Sequence, residues 1–443
     1  MNENQPRGAG EGGLDMPTRH PLPWRVAAFY DRAAIDKELR RVFEICHGCR
    51  RCVSLCRAFP TLFDLIDESS TMEIDGVAES DYGKVVEHCY LCDLCYQTKC
   101  PYVPPHPWNV DFPHLMLRAK AAEFRRGEVS AARKRLTNTE ALGKLASIPV
   151  VTEIANAGGR SKILRKLLDV HPEAHLPTFH SRTAKRRIGK LPAAAASPQA
   201  AGRTRGRVAV FVTCYGNYNM PQVVEDLVMV LRHNGIEVRL IERERCCGMP
   251  KLELGDLASV DRYKRTNLPL LAEAVADGWD IMAPIPSCVL MFRQEIPLMY
   301  PDDEPVQDVR RHVFDPFEYL MLRQRAGLLD TAFKHPLGKV AYHAPCHQRV
   351  QNIGPQTREL LSLIPGTQIE FIERCSGHDG TYGVRRETYA ASMTIVRPVS
   401  HRAEGADVIS SDCPMAADHI AHGLNRPCEP VHPISLLRKA YGI

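Results

Sequence analysis

Two cysteine-rich stretches decide the fold of the N-terminal part of this chain: CHGCRRCVSLC at residues 46–56 and CYLCDLCYQTKCP at residues 89–101. Each stretch holds three cysteines within seven residues and then a fourth cysteine. In two-cluster ferredoxins the fourth cysteine of each run ligates the other cluster, so the spacing predicts two [4Fe–4S] clusters with crossed ligand sets. The predicted ligands are Cys46, Cys49, Cys52 and Cys100 for one cluster, and Cys89, Cys92, Cys95 and Cys56 for the other.

A structural zinc site is the competing interpretation of these cysteines. Zinc sites usually use two C-x2–4-C pairs separated by a longer gap, which matches neither run. Two details depart from the ferredoxin pattern, although neither removes a ligand. Arg57 follows Cys56 where a proline is usual, and four residues rather than three precede Cys100.

The composition of the whole chain limits the classes of function. The 443 residues are enough for two or three domains, and a formal charge of +5 gives no reason to expect a nucleic-acid partner. The sixteen cysteines cluster at metal-ligand spacings, which favours a reducing, cytoplasmic compartment. Residues 1–23 lack the apolar segment of a secretory signal, and no stretch approaches the roughly 20 apolar residues of a membrane span. Any membrane contact would therefore be peripheral.

Residues 1–23 are rich in glycine and proline and are predicted to be disordered. Gly8, Gly10 and Gly13 fit GxGxxG, but the polar segment before them cannot form the strand that a dinucleotide-binding loop requires. After this segment, helices are predicted over Asp31–Cys46, Tyr82–His88 and Phe112–Arg126. Residues 24–150 are therefore predicted to form a small helical domain around metal.

A basic segment separates this region from the rest of the chain. Residues 181–207 carry eight lysines and arginines around the run Ala193–Ala196. A solvated linker is the favoured interpretation, and a docking strip for an acidic partner or for anionic lipid is the alternative.

From Arg207 onward, strand and helix patterns alternate, which indicates parallel α/β units. The predicted strands are 208–213, 236–241, 280–285, 339–343, 368–372 and 407–411, and the predicted helices include 221–233 and 357–363. A cysteine follows each of these strands: Cys214, Cys246 and Cys288 in the first half, and Cys346, Cys375 and Cys413 in the second. Corresponding cysteines of the two halves are separated by 132, 129 and 125 residues. Such regular offsets predict two tandem copies of one module.

The first copy contains the vicinal pair Cys246-Cys247, followed by Gly248. Vicinal cysteines are too close for a relaxed disulfide with each other, whereas adjacent thiolates before a glycine suit a cluster approached by backbone. Cys214, Cys246, Cys247 and Cys288 are therefore a candidate four-thiolate set. Simple burial of these thiols in the core is the alternative.

These motifs resemble the cysteine-rich (CCG) domain. The resemblance rests on Cys214, the CCGMP segment 246–250 and PSC at 286–288 in the first copy, and on YHAPCH at 342–347, RELL at 358–361, IPG at 364–366 and GTYG at 380–383 in the second. CCG domains occur in tandem in heterodisulfide reductase subunits, in the iron–sulfur subunits of glycolate and lactate oxidases, and in the subunit designated C of anaerobic glycerol-3-phosphate dehydrogenase, which is the most similar of these. The resemblance covers roughly residues 40–430.

The second copy departs from the CCG pattern. It has Cys375-Ser376-Gly377 in place of CCG, and it offers only Cys346, Cys375 and Cys413 as thiolate ligands. Three interpretations stay open: a fourth ligand, an open iron site where substrate chemistry occurs, or a module that has lost its cluster. The candidate fourth ligands are His343, His347, His378 and Ser376. Cys428 has no ligand group nearby and is predicted to be a spare thiol.

Taken together, the sequence predicts an α+β chain in which a helical ferredoxin-type domain precedes two tandem α/β CCG modules. The predicted bounds are 1–23, 24–150, 151–206 for a helical segment and linker, 207–325 and 326–443. The resemblance implies an electron-transfer component of an oxidoreductase with two [4Fe–4S] clusters and room for a further cluster in the CCG modules. It would receive electrons from a flavoprotein dehydrogenase. Quinone is the expected acceptor, and peripheral contact with the inner face of the cell membrane is a further expectation.

Two other functions compete with this hypothesis. One is a catalytic reductase that acts on a disulfide or peroxide at the CCG modules. The other is an iron–sulfur sensor or interaction protein that uses the basic linker.

Overall fold

The structure, a computed structural model, describes residues 18–98, 100–159, 161–189, 198–424 and 426–443. The chain separates into two compact units, the first ending at Glu128 and the second running over Val129–Ile443. The glycine motif at residues 8–13 and the run Ala193–Ala196 lie outside the described residues. In the described ranges, no helix combines the length and the apolar character needed to cross a membrane.

Every regular element described in the first unit is helical. The helices are α1 (Arg32–Cys49), α2 (Ala58–Asp67), α3 (Tyr82–His88), α4 (Leu94–Thr98) and α5 (Phe112–Arg126), with short 3-10 turns at Ala27–Tyr30, Ile74–Gly76 and Glu79–Asp81. The bounds predicted for α3 and α5 agree with the structure, and α1 continues three residues beyond the predicted end.

Local sequence explains where α1 begins and ends. The side chain of Asp31 accepts a hydrogen bond from the amide of Ala34 at 2.7 Å, which satisfies one of the unpaired amides of the first turn. Arg50 adopts a left-handed conformation with φ 52° and closes the helix through its amide and the carbonyl of Cys46. The first cysteine run therefore begins on the last turn of α1.

Aromatic side chains build the core of the first unit. The ring of Phe43 on α1 meets Tyr82 edge to face at 5.3 Å between centroids, and Phe59 lies 4.7 Å from Phe112. These four residues come from α1, α2, α3 and α5 and are all nearly fully buried. The helices that flank the cysteines are thus joined by contacts that do not involve sulfur.

The second unit begins with short helices that precede the first strand. They are α6 (Ala131–Leu136), α7 (Thr139–Ala146), α8 (Pro149–Gly158), α9 (Lys162–Leu167) and α10 (Ala184–Ile188). The division at Glu128 lies inside the range 24–150 that the sequence predicts for the first domain. The predicted domain bounds remain predictions.

The first α/β module contains a four-stranded sheet in which all pairings are parallel and the strand order is β2-β1-β3-β4. Its elements are β1 (Arg207–Val210), α11 (Cys214–Tyr218), α12 (Pro221–His233), β2 (Glu237–Leu240), α13 (Met249–Leu254), α14 (Leu257–Ala276), β3 (Asp280–Met282), α15 (Pro286–Leu290), a π-helical turn at Met291–Glu295, α16 (Ile296–Met299), α17 (Glu304–His312), β4 (Val313–Phe314) and α18 (Pro316–Arg325). The sequence did not predict β4, whose two residues are too few to show a period.

The second module repeats this topology with a three-stranded parallel sheet of order β6-β5-β7. Its elements are β5 (Gly338–His343), α19 (Cys346–Arg349), α20 (Gly354–Ser362), β6 (Thr367–Ile372), α21 (Arg386–Ala403), β7 (Val408–Ser411), α22 (Pro414–His422) and α23 (Pro433–Tyr441). In each module the first strand lies between the second and third. Helices combined with small parallel sheets confirm the α+β class.

One hydrophobic core extends through both modules. It includes Leu227 of α12 and Phe317 of α18 together with Tyr342 of β5 and Leu437 of α23, all fully buried. Arg438 of α23 also donates to a carboxylate oxygen of Asp226 on α12 at 2.6 Å. The two copies are therefore joined by shared side-chain packing as well as by the chain.

Candidate iron–sulfur sites

The four cysteines predicted for the first cluster line one small cavity in the first unit. Cys46 and Cys49 lie on the last turn of α1, Cys52 follows in the next turn, and Cys100 comes from the second run. The remaining lining residues are Ile45, Arg51, Phe59, Phe63, Pro101, Tyr102 and Val110. The structure thus brings Cys100 to the first run, as the crossed pairing requires.

The second run begins with a loop between α3 and α4 that carries Cys89 and Cys92, while Cys95 lies in α4 and Cys100 follows that helix. Leu91 and Asp93 take left-handed conformations with φ 57° and 61°, which bends the chain sharply between the cysteines. Burial raises the pKa of Cys95 well above its usual range, and charge repulsion from the neighbouring thiols Cys52, Cys89 and Cys56 adds to the rise. Cys56 of the first run therefore lies near the second run.

Arg19 fixes the loop of the second run. It is hydrogen-bonded to the carboxylates of Asp93 and Asp111, and its guanidinium lies over the ring of Tyr96 at 4.8 Å. Lys120 on α5 donates to the carbonyl of Cys89. Buried cations therefore hold both ends of this loop. The sequence pattern did not identify Arg19, which is 74 residues from Asp93.

The electrostatics of these thiols fit a metal cluster. Burial, followed by repulsion from Cys100, Cys52 and Cys49, raises the pKa of Cys46 well above its usual range. Several thiolates cannot ionise together at such a place unless positive charge compensates them, and cluster iron supplies that charge. No disulfide joins any cysteine of the chain, and all sixteen are described. Across the described ranges, no three His, Cys, Asp or Glu side chains are arranged to hold a single metal ion.

The four cysteines of the first CCG module meet beyond the carboxyl ends of its strands, where open parallel sheets place their ligands. Cys214 begins α11, Cys246 and Cys247 lie just before α13, and Cys288 lies in α15. The sulfurs of Cys214 and Cys246 are 3.9 Å apart. The Cys246 thiol, followed by burial, raises the pKa of Cys214 well above its usual range.

Cys247 and Cys288 complete this set. The Cys246 thiol lowers the pKa of Cys247, but the Cys288 thiol and burial outweigh it, so the net pKa is well above the usual range. Gly248 has φ 103° and its amide donates to the sulfur of Cys246 at 3.5 Å. This left-handed turn is open to glycine and explains why a glycine follows the vicinal pair.

Thr139 and Glu140 also contact this set, although they precede the module in sequence. The Thr139 hydroxyl is 3.4 Å from the sulfur of Cys214, and a carboxylate oxygen of Glu140 accepts from the amide of Cys246 at 3.2 Å. Sequence reasoning missed both residues, because their position in a polar helix start gives no sign of a partner 75 residues away.

The three cysteines of the second module occupy the corresponding loops, and Cys413 lies beside the first set. Burial raises the pKa of Cys413 to about 12, with the carboxylate of Asp379 adding to the rise. A hydrogen bond from Cys247 lowers the pKa of Cys288, whereas burial and other thiol charges, including that of Cys413, raise it overall. The amide of Gly377 donates to the sulfur of Cys375 at 3.3 Å, as Gly248 does for Cys246.

The candidates for a fourth ligand differ in their surroundings. His343 uses both ring nitrogens, one with Ser411 at 3.2 Å and the other with the carbonyl of Arg374 at 2.8 Å. Among the described residues, neither ring nitrogen of the buried His378 has a hydrogen-bond partner, and the same holds for Nε2 of His347. Nε2 of His347 lies 3.8 Å from a carboxylate oxygen of Asp379, so His378 is the candidate whose ring nitrogens are open to a ligand among the described residues.

Two further predicted residues have simpler surroundings. The hydroxyl of Ser376 is 3.5 Å from the carbonyl of His378 and is buried in the same turn. Cys428 packs against the apolar cluster that contains Ile409 and Ile420. Its position agrees with an ordinary packed thiol.

Comparison with known proteins identifies both modules. The model of the family described as "Cysteine-rich domain" (CCG) matches residues 208–293 and 340–416, which confirms the internal repeat. The subunit designated C of anaerobic glycerol-3-phosphate dehydrogenase from Escherichia coli K12 is 31% identical over 313 residues, or 69% of this chain and 76% of the relative. This chain belongs to the tandem CCG family of iron–sulfur oxidoreductases.

Other members of the tandem CCG family extend the comparison. The subunit designated B of fumarate reductase (CoM/CoB) from Methanothermobacter marburgensis is 26% identical over 398 residues, covering 86% of this chain and 68% of the relative. Lactate utilization protein A from an Exiguobacterium species is 28% identical over 242 residues, covering 52% of this chain and 97% of the relative. Two of these three relatives are named as subunits of oxidoreductases.

Proposed function

We propose that this chain is the iron–sulfur electron-transfer subunit of an oxidoreductase. It relays electrons from a flavoprotein dehydrogenase through two [4Fe–4S] clusters in the first unit to the CCG modules. The cavity lined by Cys46, Cys49, Cys52 and Cys100 carries this proposal, because it joins cysteines of both runs in the combination that a two-cluster ferredoxin uses.

The proposed ligand sets are those that the cysteine spacing predicts. The first cluster takes the four cysteines of the cavity, the second takes Cys89, Cys92, Cys95 and Cys56, and a further cluster takes Cys214, Cys246, Cys247 and Cys288. Cys346, Cys375 and Cys413 form a three-thiolate set for the second module. When bound, such clusters supply one-electron carriers whose potentials depend on hydrogen bonds and burial.

The residues around the sulfurs have two tasks in this proposal. Phe59, Phe63 and Val110 keep water from the first set, while in the second run Arg19 binds the carboxylate of Asp93 and Lys120 donates to the carbonyl of Cys89. A fixed shell limits the rearrangement that accompanies a change of charge, which favours electron transfer over substrate chemistry in the first unit.

The proposed partner is a flavin-bearing dehydrogenase, with quinone as an acceptor. The names of the relatives support a multi-subunit assembly, since two of them are subunits of enzymes whose substrates are oxidised or reduced. The partner is expected to co-purify with the chain. A redox-competent chain that binds no dehydrogenase in the same cells would contradict this assignment.

Peripheral contact with the inner face of the cell membrane is also proposed. Six large aliphatic side chains are exposed on α7 to α9, with Val150 71% exposed and Ile163 83% exposed. We call these the apolar surface: Leu145, Ile148, Val150, Ile154, Ile163 and Leu167. Lys162 and Lys166 are exposed on the same helix as Ile163, and lysines beside aliphatic groups suit anionic lipid.

Vesicle sedimentation tests this contact. Replacing Val150 and Ile154 by glutamate should abolish sedimentation with vesicles that contain anionic lipid. The matched control is Leu363→Glu, which changes an exposed leucine elsewhere in the second unit. Equal sedimentation of both variants would exclude the apolar surface as the membrane contact.

Iron counting with EPR spectroscopy on anaerobically purified chain tests the cluster assignment. About twelve iron atoms per chain are expected for three clusters, and about eight would mean that only the two sets of the first unit are filled. Cys247→Ser should remove about four iron atoms without changing the signals of the other clusters. An iron content near one or two atoms, with zinc in its place, would overturn the proposal.

A catalytic reductase remains the second candidate, because the second module combines three thiols with the buried His378, whose ring nitrogens have no hydrogen-bond partner among the described residues. Cys375→Ser should then abolish turnover of a disulfide or peroxide while the EPR signals of the first unit persist. Unchanged turnover would exclude this function.

A further inference from the structure

Helix α7 lies outside both segments that match the cysteine-rich domain, yet its first residue touches the sulfurs of the first CCG module. We propose that Thr139 is a positioning residue that donates a hydrogen bond to the sulfur of Cys214 and raises the reduction potential of the cluster held there. The inference rests on the proposed function, in which Cys214, Cys246, Cys247 and Cys288 hold a cluster.

The geometry defines the direction of this hydrogen bond. The Thr139 hydroxyl is 3.4 Å from the sulfur of Cys214 and 3.9 Å from that of Cys246. A cysteine that ligates iron is a thiolate and has no proton to give. The hydroxyl is therefore the donor, with Cys214 as the nearer acceptor.

Glu140 holds the start of α7 against the same loop. Its carboxylate accepts from the amide of Cys246 at 3.2 Å, from Arg245 at 2.6 Å and from Lys144 at 2.6 Å, and the residue is only 4% exposed. One charged side chain thus joins α7 to the backbone of a ligand cysteine. This anchor fixes the distance between the Thr139 hydroxyl and the sulfurs.

Gly143 allows the close approach of α7 to the helix that carries Cys214. A Cβ atom at this position would overlap the ring of Tyr218 on α11. Lys251 of α13 donates to the hydroxyl of Thr137, which precedes α7, at 3.4 Å. Contacts made by residues 137–143 therefore hold the start of α7 against the first cysteine set.

A hydrogen bond to a ligand sulfur favours the reduced cluster, because reduction adds negative charge that the donor stabilises. Removing the donor should therefore lower the potential. The amide of Gly248 also donates to a sulfur of this set, but it belongs to the CCG motif itself. Thr139 adds a donor that substitution can remove without changing the backbone.

The experiment is a redox titration of the full chain with its clusters, followed by EPR. Thr139→Val keeps the shape of the side chain and loses the hydroxyl. We expect the reduction equilibrium of the first-module cluster to shift three- to tenfold toward the oxidised form, where tenfold equals about 59 mV for one electron. Thr139→Ser should stay near the wild-type potential, and the clusters of the first unit should not shift.

Thr152→Val is the matched control. Thr152 is a buried threonine on the next helix, α8, and its hydroxyl donates to the carbonyl of Ile148 rather than to sulfur. This variant should leave all potentials unchanged. If Thr139→Val loses the cluster, the pair Thr139→Ala and Thr139→Ser provides the same comparison.

Two negative outcomes are distinguishable. If Cys247→Ser changes neither the iron content nor the EPR signals, the first module holds no cluster, and the proposed ligand set fails together with this inference. If that cluster is present and Thr139→Val has the wild-type potential, only the role of Thr139 is overturned.

Discussion

Arg19 lies between two mostly buried carboxylates, those of Asp93 and Asp111. Burial would raise the pKa of Asp111, but the charge and hydrogen bonds of Arg19, with the charge of His114, lower it to about 2. Asp93 is 3% exposed and is bonded to the same guanidinium. The carboxylate of Asp111 is therefore charged at neutral pH, and both carboxylates share the guanidinium of Arg19.

Arg19→Ala should remove the guanidinium that both carboxylates bind. Removing one partner of a buried ion pair costs about 3–5 kcal/mol, and we expect a loss of that size in the free energy of unfolding of the first unit. The segment that carries Cys92 and Cys95 should loosen, so about four iron atoms per chain should be lost. Anaerobic thermal unfolding and iron determination measure the two effects.

Arg41→Ala is the control for Arg19. Arg41 pairs with Glu38 on the exposed face of α1, where such pairs contribute about 0–1 kcal/mol, and its hydrogen bond to the carbonyl of Trp108 at 2.9 Å is also exposed. This variant should keep its iron and most of its stability. An Arg19 variant that behaves like the Arg41 variant would show that the second loop holds its shape by other contacts.

At the scale of the element, local sequence patterns predict the bounds of those helices that a cap and a regular apolar spacing define. α3, α5 and α12 were predicted at their observed residues, since each has a local start signal and an apolar face. The sequence patterns did not predict α7 as a separate helix within the predicted helical domain. Its position depends on Cys214 and Tyr218, which are far away in the sequence.

Gly143→Ala tests whether the packing of α7 on α11 is as tight as the structure indicates. Alanine is normally the better helix former, but here its Cβ would overlap the ring of Tyr218. Overpacking of this kind costs about 1–3 kcal/mol, so the free energy of unfolding of the second unit should fall. Urea unfolding followed by circular dichroism measures the change.

Gly83→Ala is the matched control for Gly143. Gly83 lies in α3, where a Cβ would meet no atom within 4 Å. This substitution should be neutral or stabilise the protein by up to about 1 kcal/mol. A similar gain from Gly143→Ala would mean that α7 has room to move away from Tyr218.

At the scale of the molecule, a buried polar network joins the two modules. The carboxylate of Asp315, which caps α18, accepts from Gln348 at 3.4 Å, and the Tyr342 hydroxyl lies 2.9 Å from the side-chain oxygen of Gln348 and 2.6 Å from a carboxyl oxygen of Asp412. Thr357 donates to the other oxygen of Asp412 at 3.4 Å. All five residues are at most 2% exposed.

The two carboxyl groups of this network make stability depend on pH. Burial raises the pKa of Asp315, and burial with the charge of Asp315 raises that of Asp412. A raised pKa in the folded state stabilises the protein fully below the unfolded pKa of about 3.9, and this contribution is lost as pH rises through the folded pKa. Stability of the second unit should therefore fall from mildly acidic to mildly alkaline pH.

Asp315→Asn should reduce this slope while keeping the helix cap, since asparagine caps helices as well as aspartate does. Thermal unfolding over the same pH range measures it. Asp303→Asn, at the cap of α17, is the control and should keep the wild-type slope. Identical slopes in all three proteins would show that Asp315 does not exchange a proton with solvent in this range.

The repeat was visible in the sequence because the cysteines mark it, and the family match confirms it. The way in which the copies pack was not visible. Tyr342 and Leu437 belong to the second copy but are buried with residues of the first, and no local period reports a contact across copies. The ligand sets remain predictions from the cysteine spacing.

The packing of α23 on α12 has a consequence for how the protein folds during its synthesis. Asp226 and Arg438, which join these helices, are 212 residues apart in the chain. A ribosome delivers α12 and the neighbouring elements α10, α11 and β2 long before it delivers α23, so the part of α12 that contacts α23 stays uncovered throughout synthesis of the second module. Packing in this part of the core is thus completed only after translation of the second module, and iron reaches Cys214 and its neighbours either before that packing or after it.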